Sequence, residues 1–147
     1  PVVDHVQGAT DATAVAPILD TNHGQLRISR AGHIPPLLVR SGEATYLEQG
    51  GGLPLGWPDH ARVDAEIDLE PGDILLMVTD GVIERREDAL EARLAEFALL
   101  AGAGGTDIER LCDVLVFEMG VERPSDDVVL LAVKYHGLPL VEQGTTT

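Results

Sequence analysis

The chain has few aromatic residues, few basic residues, a single cysteine and no long hydrophobic run. Aromatic residues make up 3% of its 147 residues, so aliphatic side chains and alanine must fill the core. The lone cysteine, Cys112, excludes an internal disulfide bond and is typical of a reducing compartment. No stretch approaches the roughly 20 apolar residues that a membrane-spanning helix needs. We therefore expect a cytoplasmic protein without a membrane span.

Basic residues are outnumbered by acidic ones, with 10 Lys and Arg against 25 Asp and Glu and a net charge of −15. Nucleic acids and anionic membranes select surfaces rich in Lys and Arg, so the charge balance argues against both as partners. An acidic chain is compatible with binding divalent cations, or with solubility alone.

The length predicts one domain with a sizeable core. We expect that domain to span 12–135, with 1–11 as the remnant of a preceding segment and 136–147 as a tail or linker. The first residues contain neither an initiator methionine nor the basic start of a signal peptide. This beginning leads us to expect that the chain is part of a longer protein.

Hydrophobic periodicity predicts strands in the first half of the chain and helices later. The expected strands lie near 12–19, 25–30, 36–40, 44–48, 61–69, 74–79 and 128–135. Pro17 implies that the first strand is an edge strand or contains a bulge. Helices are expected near 88–101, capped by Asp88 with Glu91, and near 107–119, capped by a box from Thr106 to Glu109. Without βαβ alternation, this order predicts an α+β fold built on antiparallel sheet.

The most informative pattern is a pair of apolar runs flanked by acids. The run 74–79 ends in Asp80-Gly81, and the run 128–133 follows Asp126-Asp127. Uniformly apolar runs are typical of strands buried on both faces, and a carboxylate at the end of such a strand needs a compensating cation or donor. The pattern predicts a shared metal site with oxygen ligands. The alternative is an ordinary Asp-Gly turn and a loop aspartate.

Five motifs follow one another in the chain. They are Ala31-Gly32-His33-Ile34-Pro35-Pro36-Leu37-Leu38-Val39, Gly52-Leu53-Pro54-Leu55-Gly56, Leu69-Glu70-Pro71-Gly72-Asp73-Ile74-Leu75-Leu76, Val78-Thr79-Asp80-Gly81-Val82-Ile83-Glu84 and Asp126-Asp127-Val128-Val129-Leu130-Leu131. Each motif alone is weak evidence for membership of a family, but five motifs in this order and at this spacing are specific evidence. The sequence resembles the SpoIIE/RsbU branch of the PPM-type metal-dependent protein serine/threonine phosphatases over residues from about 13 to 133.

The resemblance implies two packed antiparallel sheets flanked by helices, a β-sandwich of the αββα type, with a two-metal centre at one end. It implies that Asp80 and Asp126 are metal ligands, with Asp127 as the lesser candidate. Carboxylate oxygens suit Mn²⁺ or Mg²⁺, and two such ions activate water for attack on a phosphoryl group. The implied substrate is phosphoserine or phosphothreonine on a regulatory partner, a STAS-type anti-anti-sigma factor.

The chain departs from the family pattern at its beginning. Members of the family carry an upstream Gly-Asp pair and a further acid that complete the metal site, whereas 1–11 contains Asp4 and Asp11 but no such pair. The one Gly-Asp in the chain, Gly72-Asp73, fits β-turn chemistry instead. We therefore expect an incomplete C-terminal part of the domain that is inactive alone and self-associates to cover exposed surface. The alternative function is a non-catalytic module for protein–protein contact.

Three other residues have two interpretations each. His33 fits either a phosphate or metal contact or a hydrogen-bonded turn, and we favour the turn. Trp57 fits either a partner contact or packing over the end of a sheet, which we favour. Cys112 lies on the apolar stripe of the second helix, so we expect a core residue rather than a reactive thiol.

Overall fold

A computed structural model describes residues 12–57, 63–84, 88–121 and 127–137. Its strands are β1 (Ala14–Asp20), β2 (Gln25–Ala31), β3 (Leu37–Arg40), β4 (Glu43–Tyr46), β5 (Ala65–Asp68), β6 (Ile74–Val78) and β7 (Leu130–Lys134). Its helices are α1 (Asp80–Ile83), α2 (Leu90–Ala103) and α3 (Ile108–Glu118). None of these helices is long and apolar enough to cross a membrane.

The strands form two antiparallel sheets, as the sequence predicts. One sheet has three strands in the order β1-β2-β5, and the other has four in the order β4-β3-β6-β7. Pro17 lies in β1 at the edge of the smaller sheet, where its missing N–H disturbs no interior ladder. Strand β6 lies inside the larger sheet and all five of its residues are buried, which explains its uniformly apolar sequence.

Two hydrophobic clusters define three layers. The first lies between the sheets and consists of Leu26, Ile28, Leu38, Leu47, Leu75 and Met77. The second lies between the larger sheet and the helices, and it includes Leu37, Leu76, Phe97, Ala101, Leu111 and Leu115. Within the described ranges, helices cover only the face of the larger sheet that points away from the smaller one.

The helix boundaries differ in detail from the sequence prediction. The Asp88 capping pattern is wrong, because α2 starts after Ala89 and no side chain caps it. Helix α3 is capped one residue later than expected, by the Asp107 side chain, which accepts a hydrogen bond from Arg110 N at 3.1 Å. Helix α2 ends at its C-cap residue, Gly104.

Two side chains are more exposed than the sequence suggests. Cys112 is half-buried beside the core rather than inside it, and burial, together with Glu109 and Asp113, raises the pKa of its thiol. A raised pKa keeps the thiol protonated and unreactive at neutral pH, in agreement with a packing role. Trp57 is 53% exposed, so the favoured packing interpretation is wrong for most of its surface.

Gly72-Asp73 lies in a β-turn, as expected, and the buried Asp73 carboxylate also forms an ion pair with the half-buried Arg40. Gly72 has a positive φ of 100°, and Asp73 N donates to Glu70 O at 3.0 Å. The Asp73 side chain is 2% exposed and accepts hydrogen bonds from Arg40 Nε at 3.0 Å and Nη2 at 2.6 Å. Because this carboxylate precedes β6 while Asp80 follows it, Asp73 lies at the other end of the strand from the predicted metal site.

Candidate active site

The end of β6 is joined to the start of β7 by one threonine side chain. Thr79 Oγ1 donates to the carbonyl oxygen of Asp127 at 2.8 Å and accepts from Val129 N at 2.9 Å. The Thr79 backbone N–H adds a third bond, to Val129 O at 3.0 Å. These bonds bring the residue before Asp80 and the backbone of Asp127 together at one end of the larger sheet.

Asp80 begins the one-turn helix α1 and is exposed, whereas Val82 and Ile83 anchor that helix in the core. The Asp80 Oδ1 atom accepts from Gly81 N at 2.9 Å, and its backbone carbonyl accepts from Glu84 N at 2.7 Å. The Asp-Gly pair is therefore not a plain turn. It places an accessible carboxylate directly after a rigid buried strand.

The predicted metal residues are placed as follows. Asp80 and Asp127 belong to segments that Thr79 hydrogen-bonds together, and Asp126 lies outside the described residues. Among the described residues, no group of three or more His, Cys, Asp or Glu side chains is arranged to hold a metal ion. Carboxylate oxygens fit Mn²⁺ or Mg²⁺ in kind, and an ion with so few protein ligands keeps much of its water.

A cavity of about 500 Å³ opens beside Asp80. It is lined by Thr13, Gly32, His33, Ile34, Pro35, Thr79, Asp80, Glu84, Leu90 and Leu94. Two carboxylates, two hydroxyls and an imidazole thus line the same space as four apolar side chains. Such a mixture of convergent polar groups and apolar wall is typical of a ligand site.

The His33 loop is held rigidly against the cavity. Gly32 has φ +66°, and a Cβ atom there would lie 2.7 Å from Pro54 Cγ, so only glycine fits this turn. Arg30 Nη1 donates to His33 O at 2.7 Å, and Arg30 Nη2 donates to Glu48 O at 3.1 Å. The imidazole Nδ1 lies 3.1 Å from Thr13 Oγ1. His33 is thus hydrogen-bonded, as we favoured, and it also lines the cavity.

The sequence analysis assigns neither Glu84 nor Leu90 to the site, although both line the cavity. The signal for Glu84 is its spacing, because it follows Asp80 by four residues and both belong to one helical turn. No feature of the sequence distinguishes Leu90 from the other apolar residues of an amphipathic helix. Only the packing of α2 brings it to the cavity wall.

A family profile described as Stage II sporulation protein E (SpoIIE) matches residues 2–136. The chain belongs to the SpoIIE family. The match covers almost the whole chain and confirms the resemblance of the five motifs to the SpoIIE/RsbU branch of the PPM phosphatases. Asp80 and Asp127 both lie inside the matched range.

Solved structures agree with this assignment. The RsbU and RsbW domains of Rv1364c from Mycobacterium tuberculosis are 36% identical to the chain, with a TM-score of 0.81 over 94% of it. The phosphatase domain of the cell fate determinant SpoIIE from Bacillus subtilis, presoaked with Mn, is 17% identical, with a TM-score of 0.69 over 92%. The second match shows the fold alone. The chain spans 41% of the first structure's chain and 62% of the second's.

Proposed function

We propose that this chain is the C-terminal part of a metal-dependent protein serine/threonine phosphatase. The observation that carries the proposal is the Thr79 bridge, which joins the strand that presents Asp80 to the segment that contains Asp127. Carboxylates gathered at one end of a sheet repel one another unless a cation lies between them. Membership of the SpoIIE family supports the same chemistry.

In this proposal Asp80 and Asp126 hold Mn²⁺ or Mg²⁺, and Asp127 supports them from beside the ion. Two bound ions would supply an activated water and neutralise charge on the phosphoryl oxygens. The chain's own residues fix the geometry, because β6 is buried along its length and α1 is anchored by Val82 and Ile83. The phosphatase domain of SpoIIE from Bacillus subtilis was presoaked with Mn, and RsbX was solved in complex with magnesium.

The proposed substrate is phosphoserine or phosphothreonine on a STAS-type anti-anti-sigma factor. The similarity of the five motifs to the SpoIIE/RsbU branch supports this choice. So does the Mycobacterium tuberculosis relative, in which an RsbU domain and an RsbW domain occur in one protein. The strong negative charge of the chain fits a protein substrate better than a nucleic acid.

The test is hydrolysis of p-nitrophenyl phosphate and of a phosphorylated STAS-domain protein by the full-length protein. We expect activity with Mn²⁺ or Mg²⁺ and none in excess chelator. Asp80→Asn removes one ligand charge and should lower kcat by about 100-fold or more. Asp126→Asn should have a similar effect and Asp127→Asn a smaller one. Full activity of the Asp80→Asn protein, or activity in chelator, would show that the proposal is wrong.

A non-catalytic role in protein–protein contact is the second candidate. The observation that favours it is the small number of metal ligands, since the described residues contain no cluster of three side chains that could bind a metal ion. Under this alternative, the full-length protein would bind its partner with equal affinity whether that partner is phosphorylated or not, and no metal would release phosphate. The hydrolysis assay distinguishes the two candidates.

A further inference from the structure

Four apolar side chains belong to the lining of the cavity beside Asp80, and we call them its apolar wall. Leu90 and Leu94, one helical turn apart in α2, share this wall with Ile34 and Pro35. Leu90, at the first position of α2, is 46% exposed. A large exposed leucine at the rim of a polar site is a candidate contact for a ligand.

Hydrogen bonds hold this apolar wall at a fixed position relative to Asp80. Arg93, one turn after Leu90, is 5% exposed and donates from Nε to Ile83 O at 3.2 Å and from Nη2 to Met119 O at 2.8 Å. The start of α2 is thereby joined to the end of α1, the helix that Asp80 begins. Tyr46 Oη donates to Leu94 O at 2.9 Å and joins α2 to the larger sheet.

The lining of the cavity combines two kinds of chemistry. Asp80 and Glu84 provide carboxylates, and Leu90 and Leu94 provide an apolar surface. Inorganic phosphate or a small phosphate monoester would leave that apolar surface in water. A peptide whose phosphoserine is next to an apolar side chain would cover it, and burial of such a side chain favours binding.

We propose that Leu90 and Leu94 determine substrate specificity by binding an apolar side chain next to the phosphorylated residue of the partner protein. This inference rests on the proposed phosphatase function and adds the sequence class of its substrate. The same wall excludes substrates with an acidic neighbour, because a carboxylate placed against Leu90 would lose water without gaining a partner.

The test uses the full-length protein with Mn²⁺ and two synthetic phosphoserine peptides. One peptide carries leucine on both sides of the phosphoserine, and the other carries aspartate at the same positions. The value of kcat/KM for each peptide is divided by that for p-nitrophenyl phosphate measured with the same variant. We expect the leucine peptide to be preferred by about tenfold or more, the range that one apolar contact provides.

Two variants and one control separate specificity from a general structural effect. Leu90→Ala should reduce the preference severalfold, and Leu90→Lys should reverse it in favour of the aspartate peptide. Leu99→Ala is the matched control, because Leu99 lies in the same helix, is 75% exposed and does not line the cavity. It should leave the preference unchanged.

Hydrolysis of both peptides at equal normalised rates, or an unchanged preference in Leu90→Lys, would overturn the inference and leave the phosphatase function intact. Failure to hydrolyse either peptide or p-nitrophenyl phosphate would instead refute the proposed function, and this inference would fall with it.

Discussion

Replacing Thr79 by valine tests whether the bridge between β6 and β7 organises the site. Valine keeps the shape of threonine but removes the hydroxyl, and with it the bonds of 2.8 Å to Asp127 O and 2.9 Å from Val129 N. The backbone bond from Thr79 N to Val129 O does not depend on the side chain and should remain. The perturbation therefore removes two hydrogen bonds and little else.

The expected loss of stability follows from those two bonds. Each contributes roughly 0.5 to 1.5 kcal/mol net, and water can reach the freed groups at this end of the sheet, so we expect a loss of about 1 to 2 kcal/mol in all. The substitution should affect the catalytic rate more strongly than it affects stability. The segment after β6 and the segment before β7 lose the side-chain hydrogen bonds that fix their relative position, and a small displacement of ligands lowers kcat by about ten- to a hundredfold.

The assay combines urea unfolding with Mn²⁺-dependent hydrolysis of p-nitrophenyl phosphate by the full-length protein. Thr45→Val is the matched control, because Thr45 is an exposed threonine of β4, away from the bridge. It should change neither quantity appreciably. If Thr79→Val retains the stability and kcat of the unmodified protein, the bridge does not organise the site.

Three further predictions concern stability and association. Asp73→Asn should lower the free energy of unfolding by roughly 1 to 3 kcal/mol in urea titrations, because the buried carboxylate loses its charge-assisted hydrogen bonds from Arg40. Arg40 itself is 35% exposed and keeps Glu70 as a partner, and the exposed Asp68→Asn should cost little. Burial raises the pKa of Tyr46 to about 12, so the folded state holds this proton more tightly. The contribution of the Tyr46 proton to the free energy of unfolding should be fully present below pH 10 and should be lost between pH 10 and about 12. In Tyr46→Phe this decrease in stability between pH 10 and about 12 should be absent. The 147-residue chain should self-associate through the face of β7 that exposes Leu131 (51%) and Val133 (40%), and a monomer in sedimentation at high concentration would contradict this.

The sheet elements follow the sequence prediction closely. Alternation of apolar and polar residues is a direct consequence of strand geometry, so β2 and its register against β1 follow from local pattern. The uniformly apolar β6 likewise predicts its own burial on both faces. Asp80 stands out because an acid directly after such a strand is costly unless it reaches solvent or a cation.

The remaining features depend on contacts between residues far apart in the chain. The Asp73 ion pair joins residues 33 positions apart, and the sequence alone does not reveal Arg40 as the partner. The exposed position of Trp57 and the arrival of Leu90 at the cavity both depend on how whole elements pack. The one-turn helix at Asp80 escaped prediction because Asp-Gly is a common turn pair and four residues carry no periodic signal.

Calorimetric titration of the full-length protein with Mn²⁺ tests the central claim most directly. We expect saturable binding that weakens by about tenfold or more in Asp80→Asn, because one anionic ligand is lost. Asp68→Asn, which alters an exposed acid in β5, should bind Mn²⁺ as the unmodified protein does. Equal affinity of the Asp80→Asn protein, or no binding by the unmodified protein, would contradict the assignment of Asp80 as a metal ligand.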